Sequence, residues 1–516
     1  MTATKLSDSA RADYRSLSTP LLCLALIAAV AEIMLGAFLP ELTPLHRCIR
    51  AVGVACALIA IHVGAREVWS RGARSEGKSY VVVYVLIVIS IVCASCVKVI
   101  LLALAQYGNS HMVHSDIVDT SITFLLPYTM SVLVVQSTLG SRFAIIAGLV
   151  AAIVFGAYTS HVSLVVGIIL SSCVAGALAF RRVRSRSGYI RAGVTIGLAM
   201  LPFSCVSLVL DPSPSVVDGV VRIVGCLVGG CMSSLIAVIA TPFVEYFGGY
   251  ASDMRLIEMA TLDHPLLKEL SVQAPGTWNH SMVIGMMVES AADAIGANPV
   301  VCRVGAYFHD IGKTTKPLYF VENQAPDDNR HNKLNPSMSA LIIRSHVRDG
   351  VERARQHKVP QVIVDMIPEH HGTSVIEYFY EKARKEVEEL GGDPEQVDRS
   401  LYQYPGPKPQ TREAGLLMLA DGIEAAARTL SEPSQDRIQG LVQKMLNKVF
   451  ASGELNECDL TLRDLHEIAR CFTRVLTGIY HQRIAYAEPA EKIDRSDADL
   501  GPDEPGSENL KRLGIQ

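Results

Sequence analysis

Seven side chains able to hold a divalent cation recur through the second half of the chain. His280 follows Ala-Pro-Gly-Thr-Trp-Asn, and His309 and Asp310 are adjacent in Tyr-Phe-His-Asp-Ile-Gly-Lys. His346 lies in Arg-Ser-His-Val-Arg-Asp-Gly, His370 and His371 precede Gly372-Thr373, and Asp421 lies in Met-Leu-Ala-Asp-Gly-Ile-Glu. Neutral imidazoles and carboxylates are the ligands that hold catalytic first-row metals. Most of these groups sit at apolar-flanked helix positions, where an unpaired polar side chain costs free energy. A shared metal centre satisfies all of them at once. A hydrogen-bonded core histidine explains any one of them alone, but explains seven on separate apolar helices poorly.

The segments that must position these groups read as helices with marked ends. Asn298-Pro299 and Asn335-Pro336 each offer an N-cap followed by Pro at the first helical position. Gly312, Gly350 and Gly372 follow apolar-periodic stretches, where a terminating glycine belongs. Pro275-Gly276 and Tyr404-Pro405-Gly406-Pro407 mark turns. With little β-branched alternation, the half from Tyr250 onward is expected to be all-α. Its helices are expected at Thr277–Ala297, Pro299–Ile311, Pro336–Asp349, Pro360–His371, Val375–Leu390, Arg412–Leu430, Gln435–Ala451 and Thr461–Ala485. The tail from 487 to 516 is rich in Asp, Glu, Pro, Ser and Gly and is expected to be disordered.

The first half is of another kind. A bilayer span needs about 20 apolar residues, and eight candidates can be read, the fourth and fifth short and close together: Leu21–Leu39, Ala51–Val68, Tyr80–Leu104, Ile122–Val135, Phe143–Tyr158, Leu164–Phe180, Ala192–Leu210 and Val217–Ala240. Lys and Arg concentrate on the cytoplasmic side of membrane proteins. Here they alternate between loops: Lys5, Arg11 and Arg15, then Arg66, Arg71, Arg74 and Lys78, then Arg142, then Arg181, Arg182, Arg184, Arg186 and Arg191. The opposite loops offer Arg47, Arg50 and Arg222. That alternation implies a cytoplasmic N-terminus over 1–17, a transmembrane region over 18–245 and a cytoplasmic domain over 246–486. Lys98, inside the third run, is read as snorkelling to the outer interface.

Composition agrees with this division. Hydrophobic residues make up 49% and charged residues only 19%, against about 25% charged in ordinary soluble chains. The net charge of −4 gives no global basic field for DNA. Nine of the twelve cysteines precede residue 240, mostly inside apolar runs, and read as small hydrophobes rather than a disulfide framework.

The pattern His…His-Asp…His…His-His…Asp resembles the HD-domain phosphohydrolase superfamily. Several stretches are similar to its seven-transmembrane branch of the PgpH type, whose characterised members hydrolyse cyclic di-AMP. They are Ala-Pro-Gly-Thr at 274–277, His-Asp-Ile-Gly-Lys at 309–313, Glu-Asn-Gln at 322–324, His-His-Gly-Thr at 370–373, Tyr-Pro-Gly-Pro-Lys-Pro-Gln at 404–410 and Leu-Ala-Asp at 419–421. The resemblance implies an all-α architecture, a transmembrane bundle followed by a cytoplasmic HD metallohydrolase in a bacterial cell membrane. It implies two divalent ions, iron or manganese, with Asp310 bridging. His280, His309 and Asp421 complete one ion, and His346, His370 and His371 the other. Two ions about 3.5–4 Å apart generate hydroxide near neutral pH and stabilise charge on the attacked phosphate. Activity is then expected to fall as the histidines protonate.

Lys313, three residues after the His-Asp pair, reads either as a catalytic group reaching a phosphate oxygen or as a Lys favoured by the dipole at a helix C-terminus. The resemblance gives Asn323, Gln324 and Thr373 contacts to the cyclic di-AMP substrate. Trp278 and Tyr307 read as core aromatics, and Lys408 and Arg412 as solvated loop charges. Two departures stand out. Only Pro40–Arg50 separates the first two spans, where many family members carry a large external domain, and Gln403 stands where an Arg is expected. Besides cyclic di-AMP hydrolysis, the rivals are hydrolysis of cyclic di-GMP or of an alarmone, and a receptor with an inert HD module. The cyclic di-GMP branch carries Gly-Tyr-Pro after its His-His pair, whereas this chain runs Gly372-Thr373-Ser374. The membrane half transmits a signal or anchors a homodimer; the residues favour neither.

Overall fold

The computed structural model describes residues 3–39, 43–69, 76–108, 120–180, 186–211, 216–325, 329–430 and 433–480. The tail from 487 lies outside them, as do several of the charged loop residues. Among the described residues there is no β-strand, only an isolated bridge between Val375 and Gln403.

The membrane half contains α1 (Ala3–Met34), α2 (Pro44–Trp69), α3 (Glu76–Gly108), α4 (Met130–Thr138), α5 (Ser141–Ala157), α6 (Val162–Phe180), α7 (Arg186–Val209) and α8 (Val216–Gly248). Six helices among the described residues are long and apolar enough to cross a membrane, and Ser141–Ala157 is a shorter apolar one. Their outer faces present residues such as Ile33, Val99, Leu198 and Leu235. In lipid that exposure carries no penalty, because the tails are as apolar as the side chains.

The run expected to span at Ile122–Val135 is not one helix. Helix ends at Thr123, the chain breaks around Pro127, and α4 begins at Met130. Proline cannot donate to the helix ladder. The broken backbone lies against α8 at Gly225 and Gly229, where an added Cβ would come within 2.4 Å of the Phe124 carbonyl. Irregular backbone is tolerated at membrane depth only when buried in protein, and Phe124 is fully buried. Charges here are paired: Arg50 meets Glu32 at 2.7 Å and Arg222 meets Asp211 at 2.7 Å. Lys98 places its ammonium 4.9 Å from the Phe38 ring.

The second half contains α9 (Asp253–Met259), α10 (Pro265–Gln273), α11 (Pro275–Ile295), α12 (Pro299–Phe308), α13 (Pro336–Gln356), α14 (Gln361–Glu369), α15 (Glu377–Glu389), α16 (Arg412–Ala427), α17 (Gln435–Ala451) and α18 (Leu462–Ile479). Asn298 caps α12 by accepting from the Val300 and Val301 amides. Asn335 occupies the same position before α13 without a side-chain cap bond. Thr461 and Asp464 form a reciprocal capping box on α18. Leu267, Ile284, Val288, Phe308, Ile363, Leu416 and Phe472 share one buried core. Each such side chain contributes about 1.5–3 kcal/mol through burial.

Two expected helix ends move for one physical reason. Gly350 does not terminate α13, which continues to Gln356, and α12 stops at Phe308 before a short 3-10 turn over Ile311–Thr315. A Cβ on Gly312 would fall 1.9 Å from the His346 carbonyl oxygen and 2.6 Å from the Gly350 amide. These glycines permit close backbone contact instead of ending helices. Gly372 does adopt the left-handed conformation, with φ of 54°.

Candidate metal centre

Five elements converge on one small volume. His280 comes from α11, His309 and Asp310 from the end of α12, His346 from α13, His370 and His371 from the end of α14, and Asp421 from α16. The Asp310 carboxylate is their midpoint. Its Oδ2 lies 3.2 Å from His309 Nε2 and 3.8 Å from His280 Nε2. Its Oδ1 lies 3.4 Å from His346 Nε2 and 3.9 Å from His370 Nε2. Asp421 approaches His280 Nε2 at 3.0 Å with one oxygen and His371 Nδ1 at 3.6 Å with the other. Two compact triplets result, His280–His309–Asp310 and His346–His370–His371, each able to hold a metal ion.

The rings are aimed by their own helices. His309, His346 and His370 each direct Nδ1 to the carbonyl three residues earlier, at Ala306 (2.7 Å), Ile343 (2.5 Å) and Ile367 (2.5 Å). That bond places the proton on Nδ1 and turns the Nε2 lone pair toward the cluster. His371 stacks on Tyr404, with ring centres 4.1 Å apart.

A metal fits this set on an observation internal to the chain. His309 Nε2, His346 Nε2, His370 Nε2 and Asp310 Oδ1 are buried without a hydrogen-bond partner, while Asp310 Oδ2 meets the Lys313 ammonium at 2.6 Å. Buried polar atoms are normally satisfied, so four orphans facing one another are a set that a cation could satisfy.

Burial lowers the pKa of His346 and of His370, the latter helped by the neighbouring His371. It takes His371 down to about 3 against the pull of Asp421. Burial opposes charge on His280 too, but hydrogen bonds to Asp421 and Glu424 outweigh it and hold the pKa at about 9. Asp310 resists the upward push of burial and lies well below the carboxylate range, because His309 and Lys313 favour its anion.

The triplets differ in access. His280, His309 and Asp310 are buried away from it, whereas His370, His371 and Asp421 line a cavity of about 560 Å³. Arg399, Lys408 and Lys448 line the same cavity. Lys408 is therefore not a free loop charge: it faces the cleft and donates to the Gly453 carbonyl at 2.9 Å. Arg412 lies elsewhere, donating to the Ile295 carbonyl at 2.6 Å.

The other residues singled out from the sequence have definite partners. Lys313 places Nζ 2.6 Å from Asp310 and 2.9 Å from Glu322. Asn323 accepts from the Gly276 and Thr277 amides, so its side chain holds the start of α11. Gln324 donates to the Leu318 carbonyl at 3.0 Å. Thr373 donates to Glu454 at 2.5 Å and lines the cavity. Trp278 and Tyr307 pack against each other beside the core, with ring centres 5.7 Å apart. Gln403 donates to the Thr373 carbonyl at 2.8 Å, bracing the loop after His371.

Sequence reasoning passed over Glu424, which is 1% exposed and bonded to His280 Nδ1. Its signal was present: it lies three residues after Asp421 among alanines, hence on the same helix face.

Comparison with known proteins follows the two halves. A family model described as "7TM receptor with intracellular HD hydrolase" matches residues 47–252, and one described as "HD domain" matches residues 277–426. The chain is 36% identical to "Cyclic-di-AMP phosphodiesterase PgpH" of Bacillus subtilis (strain 168), covering 72% of this chain and 52% of that protein. It is 34% identical to the protein of the same name from Listeria monocytogenes serotype 1/2a (strain 10403S), covering 71% and 51%. The chain thus spans about half the length of these curated relatives. A solved structure of the L. monocytogenes phosphodiesterase PgpH HD domain in complex with cyclic-di-AMP aligns at 42% identity and a TM-score of 0.40. That alignment covers 43% of this chain and all of that one.

Proposed function

The chain belongs to the family of 7TM receptors with an intracellular HD hydrolase, and from that premise we propose that it hydrolyses cyclic di-AMP to linear pApA. Its HD domain, over about 246–486, faces the cytoplasm, and two divalent ions, iron or manganese, occupy the two triplets. One observation carries the reading: four buried, unpartnered nitrogen and oxygen atoms face one another at Asp310. The names printed for the curated relatives supply the substrate.

Bound there, the ions supply Lewis-acid activation of water and neutralise charge at the attacked phosphorus. The chain's own residues do the positioning. Asp310 offers one oxygen to each triplet, and carbonyl-anchored imidazoles keep their lone pairs directed inward. Asp421 and His371 form the boundary between the buried cluster and the cavity, where the scissile phosphate enters.

A cyclic dinucleotide carries a second phosphate, and Arg399, Lys408 and Lys448 give the cavity the charge to receive it. Lys313, held beside Asp310, offsets negative charge close to the scissile phosphate. Water attacks phosphorus and the bond to the 3′ oxygen breaks. The 3′ oxygen takes up the proton that the water gives up, and phosphate stays on the 5′ oxygen.

The test is a side-by-side assay of the purified chain on cyclic di-AMP, cyclic di-GMP and alarmone with manganese or iron. Turnover of cyclic di-AMP to pApA, lost in Asp310→Ala, is the expected result. Turnover of another nucleotide alone would redirect the substrate assignment. No turnover by a metal-loaded chain would favour a receptor with an inert module.

A further inference from the structure

The cluster treats its histidines unequally. Three of them back Nδ1 against a neutral carbonyl of their own helix. His280 alone among the cluster histidines has a carboxylate behind it, with Nδ1 bonded to Glu424 Oε2. Glu424 and Asp421 lie one turn apart on α16, so the imidazole is held between two carboxylates of one helix face. Glu424 is in turn fixed by Arg428, whose Nε donates to Oε1 at 2.6 Å. Ordering the free carboxylate oxygen in this way leaves Glu424 a single orientation toward the ring.

A carboxylate hydrogen-bonded to the far nitrogen makes an imidazole a stronger donor than a carbonyl does. The anions are also unevenly shared. The His280–His309 side has Asp310 and Asp421 in contact and Glu424 behind, whereas the His346–His370–His371 side has Asp310 and, across the cleft, one Asp421 oxygen.

We infer that Glu424 is a positioning residue that makes the two cation positions inequivalent. The position at His280 and His309 holds a tightly bound resident ion, and the position at His346, His370 and His371, next to the open cavity, holds an exchangeable one. This rests on the two-ion reading above.

The test is manganese titration of the full-length chain, with metal per chain counted by mass spectrometry and the pairing of ions followed by electron paramagnetic resonance. The wild-type chain should bind two ions with separated affinities, giving an isolated manganese signal at one equivalent and a coupled pair at two. Glu424→Gln should weaken the tighter ion by roughly 10- to 100-fold, merging the two steps. Glu424→Asp should restore part of the separation. His346→Gln should keep the tight ion and lose the other, which tests the assignment even where Glu424→Gln fails to fold. A Glu424→Gln curve superimposed on wild type, or loss of both ions in His346→Gln, would overturn the inference. A wild-type chain that binds no manganese would instead overturn the two-ion reading itself.

Discussion

Asp310 gives one oxygen to each half of the cluster, so no neighbour can replace it. Asp310→Asn keeps the shape and removes the charge; turnover is expected to vanish while the melting temperature of the metal-free chain stays near wild type or above it. Protonation follows from the same geometry. His346, His370 and His371 are already neutral at pH 7, since burial lowers all three, whereas His280 holds its proton up to about pH 9. Metal entry must therefore expel the His280 proton, and affinity should climb as pH rises toward 9 and fall below it. Calorimetry in buffers of different ionisation enthalpy reads that release, and pH-independent binding between 6 and 8 would contradict it. The seven cluster groups were legible in the sequence because polar types recurred where apolar ones belonged. Glu424 shares the face of Asp421, but that signal was masked, because a Glu followed by Arg428 at i+4 also has the pattern of a solvent-facing ion pair. Only the packing of α11 against α16 reveals its burial.

At the level of elements, the fit between the turn after Asp310 and α13 fixes the spacing of the two triplets. Gly312→Ala would drive a methyl group into the His346 carbonyl and the Gly350 amide. Overpacking of this kind costs about 1–3 kcal/mol. The expected outcome is a melting temperature several degrees lower, with weakened manganese binding on the His346 side. Unchanged binding would show that α13 shifts freely. Helix starts were legible where a cap residue preceded proline, as at Asn298. The glycines at 312 and 350 were misread because a sequence shows that a side chain is missing, not what fills its place. The break at Pro127 was hidden likewise: a short apolar run gives no sign that another helix offers glycines to receive its carbonyls.

On the scale of the whole molecule, the alternating charges and the apolar helices set a membrane protein whose soluble half is expected on the inner side. A fluorescent protein fused after Gln516 should fluoresce, and alkaline phosphatase fused there should be inactive; the opposite pair of results would reverse the orientation. What links the halves is α8. At about 1.5 Å per residue its 33 residues reach roughly 50 Å, well beyond a hydrocarbon core of about 30 Å. At its end Glu245 accepts from the Ser252 amide and Arg255 donates back to the Glu245 carbonyl, tying α8 to the soluble half. Pro242, inside the helix, removes one rung just before that junction. A stiff lever of this length turns angle into distance. Each degree of lean at its outer end displaces its inner end by roughly 0.9 Å, next to the first residues of the soluble half.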